Sequence, residues 1–187
     1  TDVDAYNTAV GHAAGAAVTT GTKNTLIGGL AGDAITTGNE NVALGYTALS
    51  GDDVGHRSVA IGTATLTNQN YATSTNSYNV AMGYNTGHNV TTGIQNTLIG
   101  GLAGDALTDA DFNVAVGIST LSSDTKGNRS VAIGYAALET QNFTTSTDSY
   151  NTAVGALAGL SVTTGTLNTL IGGLAGDAIT TGGSNVA

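Results

Sequence analysis

A five-residue motif that ends in glycine recurs ten times along this chain and limits the folds that it can adopt. The copies read NTAVG, NTLIG, NVALG, SVAIG, NVAMG, NTLIG, NVAVG, SVAIG, NTAVG and NTLIG. Their glycines are Gly11, Gly28, Gly45, Gly62, Gly83, Gly100, Gly117, Gly134, Gly155 and Gly172. Successive glycines lie 17 residues apart, except that the steps from Gly62 to Gly83 and from Gly134 to Gly155 span 21. Every fourth unit is therefore four residues longer than the others.

Two nested periods predict the domain organisation. Four units make a super-repeat of 72 residues, which divides the chain into segments at about 7–78, 79–150 and, incompletely, 151–187. Such self-similarity is the signature of a solenoid, in which each coil packs only on its neighbours. We expect one solenoid domain over residues 1–187, and we interpret the chain as an excerpt of a longer array.

Composition and repeat length favour strands over helices. The chain has 28 glycines, and each would cost about 1 kcal/mol in a helix interior. It has no proline, which suits a continuous ladder in which every coil donates backbone N–H groups. The prediction is an all-β fold, a parallel β-solenoid or β-roll of 17-residue rungs with a four-rung super-repeat.

Period-2 alternation within the motif predicts which side chains face inward. The large residue before each glycine and the Thr or Val two places earlier are expected inside the coil. The residue between them is then expected to face outward, although it is never polar. We predict that this middle column forms the interface of a homotrimer: Ala9, Leu26, Ala43, Ala60, Ala81, Leu98, Ala115, Ala132, Ala153 and Leu170.

The rung NTAVGALAGLSVTTGTLNTLIG resembles the tandem repeats of phage tail fibres, in which NTAVG recurs with a TTG turn at this spacing. The SVAIG copies at 58–62 and 130–134 are similar to the motif of trimeric autotransporter adhesin heads. The resemblance covers nearly the whole chain. It implies a left-handed parallel β-roll, with three chains side by side on a fibre.

The longer rungs add a loop at one corner, and loops on a rigid scaffold commonly carry binding groups. Tyr71 and Phe143 lie within these loops, and Tyr78 and Tyr150 precede the next motif. We predict that these four rings bind a partner such as a cell-surface glycan or receptor, because a stiff ring offers large contact area. The alternative is that the rings of Tyr71 and Phe143 cover the widened coil.

Charge and composition exclude several other functions. A net charge of -9 opposes binding to nucleic acid, and no apolar run is long enough to cross a membrane. No cysteine is present and the three histidines have no ligand at metal spacing, so we expect no enzyme, no metal and no cofactor. GGLAGDAIT resembles a calcium-binding nonapeptide, but its copies lie 72 residues apart, so Asp33, Asp105 and Asp177 are expected to cap turns.

The resulting prediction is a structural shaft in a trimeric virion tail fibre or an extracellular surface adhesin that contributes to receptor attachment. Two alternatives stay open. Paired threonines such as Thr19 and Thr20 are typical of ice-binding solenoids, although they are absent from some rungs. A monomeric structural solenoid is the other alternative.

Overall fold

Short parallel strands, stacked rung upon rung, form the computed structural model, which describes residues 4–187 and contains no helix in that range. In chain order the strands are β1 (Thr8–Val10), β2 (Thr25–Ile27), β3 (Val42–Leu44), β4 (Gly55–His56), β5 (Val59–Ile61), β6 (Thr75–Asn76), β7 (Val80–Met82), β8 (Thr97–Ile99), β9 (Val114–Val116), β10 (Gly127–Asn128), β11 (Val131–Ile133), β12 (Thr147–Asp148), β13 (Thr152–Val154) and β14 (Thr169–Ile171). The three-residue strands are the motif copies.

All strand pairs are parallel and join each rung to the next. The motif strands form one ten-stranded sheet in the order β1-β2-β3-β5-β7-β8-β9-β11-β13-β14. Each residue lies opposite its counterpart in the next rung, so that Leu26 pairs with Ala9 on one side and Ala43 on the other. Two small sheets, β4-β6 and β10-β12, lie beside the longer rungs. The predicted parallel β-solenoid with 17-residue rungs is therefore confirmed.

The motif glycines end the strands. Gly28 has a φ of 135° and Gly45 a φ of 143°, which L-residues rarely adopt. A Cβ added to Gly28 would overlap the backbone carbonyl of Gly45 in the next rung. Glycine is thus required here both for the turn and for the close approach of stacked backbones.

The prediction of which strand residues face inward was wrong. The middle column lies inside the coil: Leu26, Ala43, Ala60, Ala81, Leu98, Ala115, Ala132, Ala153 and Leu170 are all at most 1% exposed in the single chain. Ala9 is exposed because it belongs to the terminal rung. Side chains buried within their own chain cannot form the trimer interface predicted for them. The residue before each glycine, predicted to be internal, faces outward instead.

The interior is narrow, and the leucines that fill it come from two columns, the middle of the strand and the position six residues later. Where a leucine occupies the middle of the strand, as at Leu98, the residue six places later is a glycine, Gly104. A Cβ on Gly104 would lie 2.9 Å from Leu98 Cδ2. In the next rung the strand holds Ala115 and the later position holds the buried Leu121. This exchange lets alanine suffice in the four strands whose rungs hold a leucine at the later position.

A ladder of asparagines runs along the interior at the residue that opens eight of the ten motifs. The backbone N–H of Asn24 donates to Asn7 Oδ1 at 2.8 Å, and that of Asn41 donates to Asn24 Oδ1 at 3.0 Å. Asn24 Nδ2 donates to the Gly38 carbonyl at 2.8 Å, across the coil. Each amide therefore ties three rungs together and satisfies backbone groups that burial would otherwise leave unpaired.

Candidate interaction surfaces and buried polar clusters

The outward residues on either side of the motif glycine form what we call the outer apolar stripe. Its first column, before the glycine, is Val10, Ile27, Leu44, Ile61, Met82, Ile99, Val116, Ile133, Val154 and Ile171. Its second column, after the glycine, is less uniform and consists of His12, Gly29, Tyr46, Thr63, Tyr84, Gly101, Ile118, Tyr135, Ala156 and Gly173. Met82 is 44% exposed and Tyr84 61% exposed, and neither column contains Asp, Glu, Lys or Arg. The stripe continues through every motif rung.

Two of the four aromatic side chains that were predicted to bind a partner are buried. Tyr71 is only 4% exposed and Phe143 only 6% exposed, because each fills the widened corner of its long rung. The Tyr71 hydroxyl donates to the Gly93 carbonyl at 2.8 Å. The predicted binding role of these two rings is therefore wrong, and their alternative as coil-covering rings is correct. Tyr78 and Tyr150 are half exposed and remain candidate contact residues.

A buried polar cluster occupies the rungs around the first SVAIG copy. Gln69 Nε2 donates to Asp52 Oδ2 at 2.6 Å and to Ser58 Oγ at 2.7 Å. Asn79 Nδ2 donates to Gln69 Oε1 at 2.9 Å, which connects the cluster to the asparagine ladder. The Gly55 backbone N–H donates to Asp52 Oδ1 at 2.9 Å. Burial is the largest influence on this carboxyl and raises the pKa of Asp52 to about 6.

The second SVAIG copy repeats this arrangement 72 residues later. Gln141 Nε2 donates to Asp124 Oδ2 at 2.6 Å and to Ser130 Oγ at 2.9 Å, and Asn151 Nδ2 donates to Gln141 Oε1 at 2.8 Å. Burial again raises the pKa of the Asp124 carboxyl above its ordinary value. Where the motif opens with serine, this cluster takes the place of the asparagine side chain. Serine has only a hydroxyl group and no amide that could both accept from the next rung and donate across the coil.

Sequence reasoning missed these clusters, although one column contains the signal for them. Seven residues after the motif glycine, the other rungs hold aliphatic residues such as Ile35 and Leu107, whereas these rungs hold Asp52, Gln69, Asp124 and Gln141. A polar residue in an otherwise aliphatic column indicates a buried residue with a dedicated partner.

An open cleft of about 300 Å³ lies at the corner where β4 and β6 meet. Polar side chains line it, among them Asn39, Glu40, His56, Arg57, Ser74 and Asn76. Arg57 Nε donates to Glu40 Oε2 at 2.8 Å, and the Arg57 guanidinium lies 5.6 Å from the centre of the Tyr78 ring. The arginine holds the pKa of the Glu40 carboxyl below its ordinary value.

The first threonine of a pair uses its hydroxyl within the chain, whereas the second, as at Thr20 and Thr37, is exposed. Thr19 Oγ1 donates to the Thr36 carbonyl at 3.0 Å, and Thr36 Oγ1 donates to the Asp53 carbonyl at 3.1 Å. The first hydroxyl of the pair is therefore used in joining rungs. Asp53 also interrupts the column, because it occupies the threonine position of the third rung.

The aspartates of the GGLAGDAIT segments do not assemble a metal centre. Within residues 4–187, no three histidine, aspartate or glutamate side chains come together as a metal-binding group. One carboxylate oxygen each of Asp33 and Asp105 is buried without a hydrogen-bond partner from that part of the chain. The same described range contains no helix that is long and apolar enough to span a membrane.

Comparisons with protein-family models, with curated proteins and with solved structures give no match for this chain.

Proposed function

We propose that this chain is a shaft segment of an extracellular or virion fibre, in which three copies pack side by side through the outer apolar stripe. The stripe is the observation that carries the proposal, because monomeric proteins seldom expose a contiguous apolar surface of this kind. It takes over the interface role that the sequence predicted for the middle column.

Charge supports self-association through this face. Each copy has a net charge of -9, so copies repel one another least when they meet through a surface without acidic groups. The stripe is such a surface, since its two columns contain no Asp or Glu. A cyclic arrangement buries the same stripe of every copy along a common axis, which closes the assembly. Resemblance to trimeric fibre and adhesin repeats favours three copies over two.

The proposed role is mechanical. Ten motif rungs at a strand spacing of about 4.8 Å make a rod of roughly 50 Å, and further rungs would lengthen it without changing its cross-section. Such a shaft projects a terminal receptor-binding part away from the surface that carries it.

Molar mass measured by light scattering after size exclusion tests the proposal. We expect about three times the 18.3 kDa of one chain, with no dissociation on moderate dilution. The double variant Leu44→Lys, Met82→Lys should elute as a folded monomer, because it would place charged ammonium groups in a desolvated interface.

Thr92→Lys, Thr164→Lys is the matched control, since it adds the same charges at exposed positions outside the stripe. It should leave the trimer intact. A wild-type chain that stays monomeric at every concentration would contradict the fibre assembly, and thermal hysteresis measurements would then separate an ice-binding solenoid from a passive one.

A further inference from the structure

We propose that the open corner cleft beside the first long rung binds a neutral saccharide through Asn39, Ser74 and Asn76. The proposal depends on the proposed extracellular role only for the source of the ligand, a cell-surface glycan. The site itself is argued from the geometry of one chain.

The polar groups of the cleft are held in place by neighbouring rungs while several donors stay unused. Asn39 Oδ1 accepts the Thr22 backbone N–H at 2.7 Å, which fixes the amide plane. Within residues 4–187, no hydrogen bond engages the Nδ2 group of Asn39 or the side chain of Asn76. Amides that can both donate and accept suit vicinal hydroxyl groups, which also do both.

The protonation of His56 follows from its partners. The Asn39 backbone N–H can only donate, and it lies 2.8 Å from His56 Nδ1, so that nitrogen is the acceptor. His56 Nε2 therefore has the proton and donates to Ser74 Oγ at 2.6 Å. The Ser74 hydroxyl hydrogen is then free to point into the cleft. The imidazole thus positions Ser74 as a donor for a ligand oxygen.

Charge and shape favour a neutral sugar. The only charged groups of the cleft, Glu40 and Arg57, are paired with each other, and the chain as a whole repels anions. The volume of about 300 Å³ is at the lower limit of small-molecule sites and suits one sugar unit. Tyr78 is half exposed, and the Arg57 guanidinium lies over its ring, which helps to hold Arg57 in place beside the cleft.

The second super-repeat provides an internal comparison, because its equivalent corner is filled by its own side chains. Asp148 stands where the first copy has Asn76, and its Oδ2 pairs with Arg129 Nε at 3.2 Å. Asn128 replaces His56 and donates to Ser146 Oγ at 3.1 Å and to Asp148 Oδ1 at 3.3 Å. Phe112 replaces Glu40 and packs under Arg129, 4.6 Å from the guanidinium carbon. Binding is therefore expected at the first corner.

Binding to an array of neutral glycans, followed by NMR titration with the best monosaccharide, tests the site. We expect shift changes in the side-chain amides of Asn39 and Asn76. Ser74→Ala removes the hydroxyl, and Asn76→Asp introduces the carboxylate that closes the second corner. Each should weaken binding by about tenfold or more. Ser146→Ala, the same change at the second corner, should leave the affinity unchanged.

Two results would overturn the proposal: no neutral saccharide binds the wild-type chain, or Ser146→Ala weakens binding as much as Ser74→Ala does. Circular dichroism and molar mass are measured for each variant. A wild-type chain that forms the trimer but binds no neutral saccharide rejects the site alone, whereas a wild-type chain that is monomeric and still binds the sugar rejects the shaft assembly alone.

Discussion

At the scale of single residues, the carboxyl of Asp52 determines how stability should respond to pH. Its pKa is about 6 in the folded chain, against an ordinary value of 3.8. Because the folded state holds this proton more tightly than the unfolded chain does, protonation favours folding. The contribution is fully present below about pH 3.8 and is lost as the pH rises through about 6. Asp124 acts in the same direction, since burial raises its pKa too.

We therefore predict that the free energy of unfolding is larger at pH 5 than at pH 7, by about 1 to 3 kcal/mol. Urea unfolding at the two pH values measures the difference. The double variant Asp52→Asn, Asp124→Asn should lose most of it, because neither amide titrates. Asp109→Asn, which removes a surface carboxylate paired with Lys126, should keep it. An unchanged pH response in the double variant would contradict this account.

At the scale of the structural element, seven of the ten motif rungs place a leucine in one of two interior columns. Leu98 and Gly104 form one pattern, and Ala115 and Leu121 the other. Both patterns fill the same interior, so we predict that one can be exchanged for the other.

Leu98→Ala alone should cost about 2 to 5 kcal/mol by opening a cavity. Gly104→Leu alone should also destabilise, by about 1 to 3 kcal/mol, because its Cβ would meet Leu98 and Leu107 side chains. The double variant should lose at least about 1 kcal/mol less than the sum of the single changes. A double-mutant cycle from urea unfolding measures this coupling. Strictly additive effects would mean that the side chains at positions 98 and 104 do not occupy the same interior space.

The rung, its length and its parallel pairing could be predicted from the sequence, because the glycine spacing determines them directly. Which strand residues point into the coil could not be predicted from residue size alone. Large residues such as Ile99 were expected inside, yet Asn96 and Leu98 share one parity and both are buried. Buried residues of other columns, such as Ile35 and Leu121, also fill the interior, so the strand column needs only alanine or leucine. The recurring Asn before each strand was the signal for the inward parity.

The candidate sites were only partly predictable for a similar reason. The loops were recognised from their four extra residues, but no local pattern distinguishes an exposed ring from a buried one. Tyr71 is buried because the widened corner leaves a gap that its ring fills. The residues that line the cleft at His56 come from four successive rungs, and they become neighbours only once the solenoid register is known.

At the scale of the whole molecule, the pattern of buried side chains repeats every four rungs, as the rung lengths do. Two rungs of each unit contribute aliphatic side chains to the column that Ile35 occupies, and the next two contribute an Asp and a Gln that hydrogen bond to each other. The rungs are therefore alike in backbone but not interchangeable, since Gln69 requires Asp52 as its neighbour.

Two deletions of equal length test this directly. Removal of residues 24–40 joins Lys23 to Asn41 and keeps the Asp52–Gln69 pair, whereas removal of 41–57 joins Glu40 to Ser58 and stacks Gln69 on Ile35. Both chains lose one rung, but the second leaves a donor of Gln69 buried without a partner. It should be less stable by roughly 1 to 3 kcal/mol in urea unfolding.

Replacement of Gln69 separates this cause from a general intolerance of deletion. Gln69→Leu should restore part of the stability of the chain that lacks 41–57, because it removes the stranded amide and packs against Ile35. The same change should destabilise the full-length chain, where Asp52 would lose the donor at 2.6 Å. Opposite signs in the two backgrounds are expected only if the rungs are matched in pairs. Equal stability of the two deletion variants would instead mean that any rung can stack on any other.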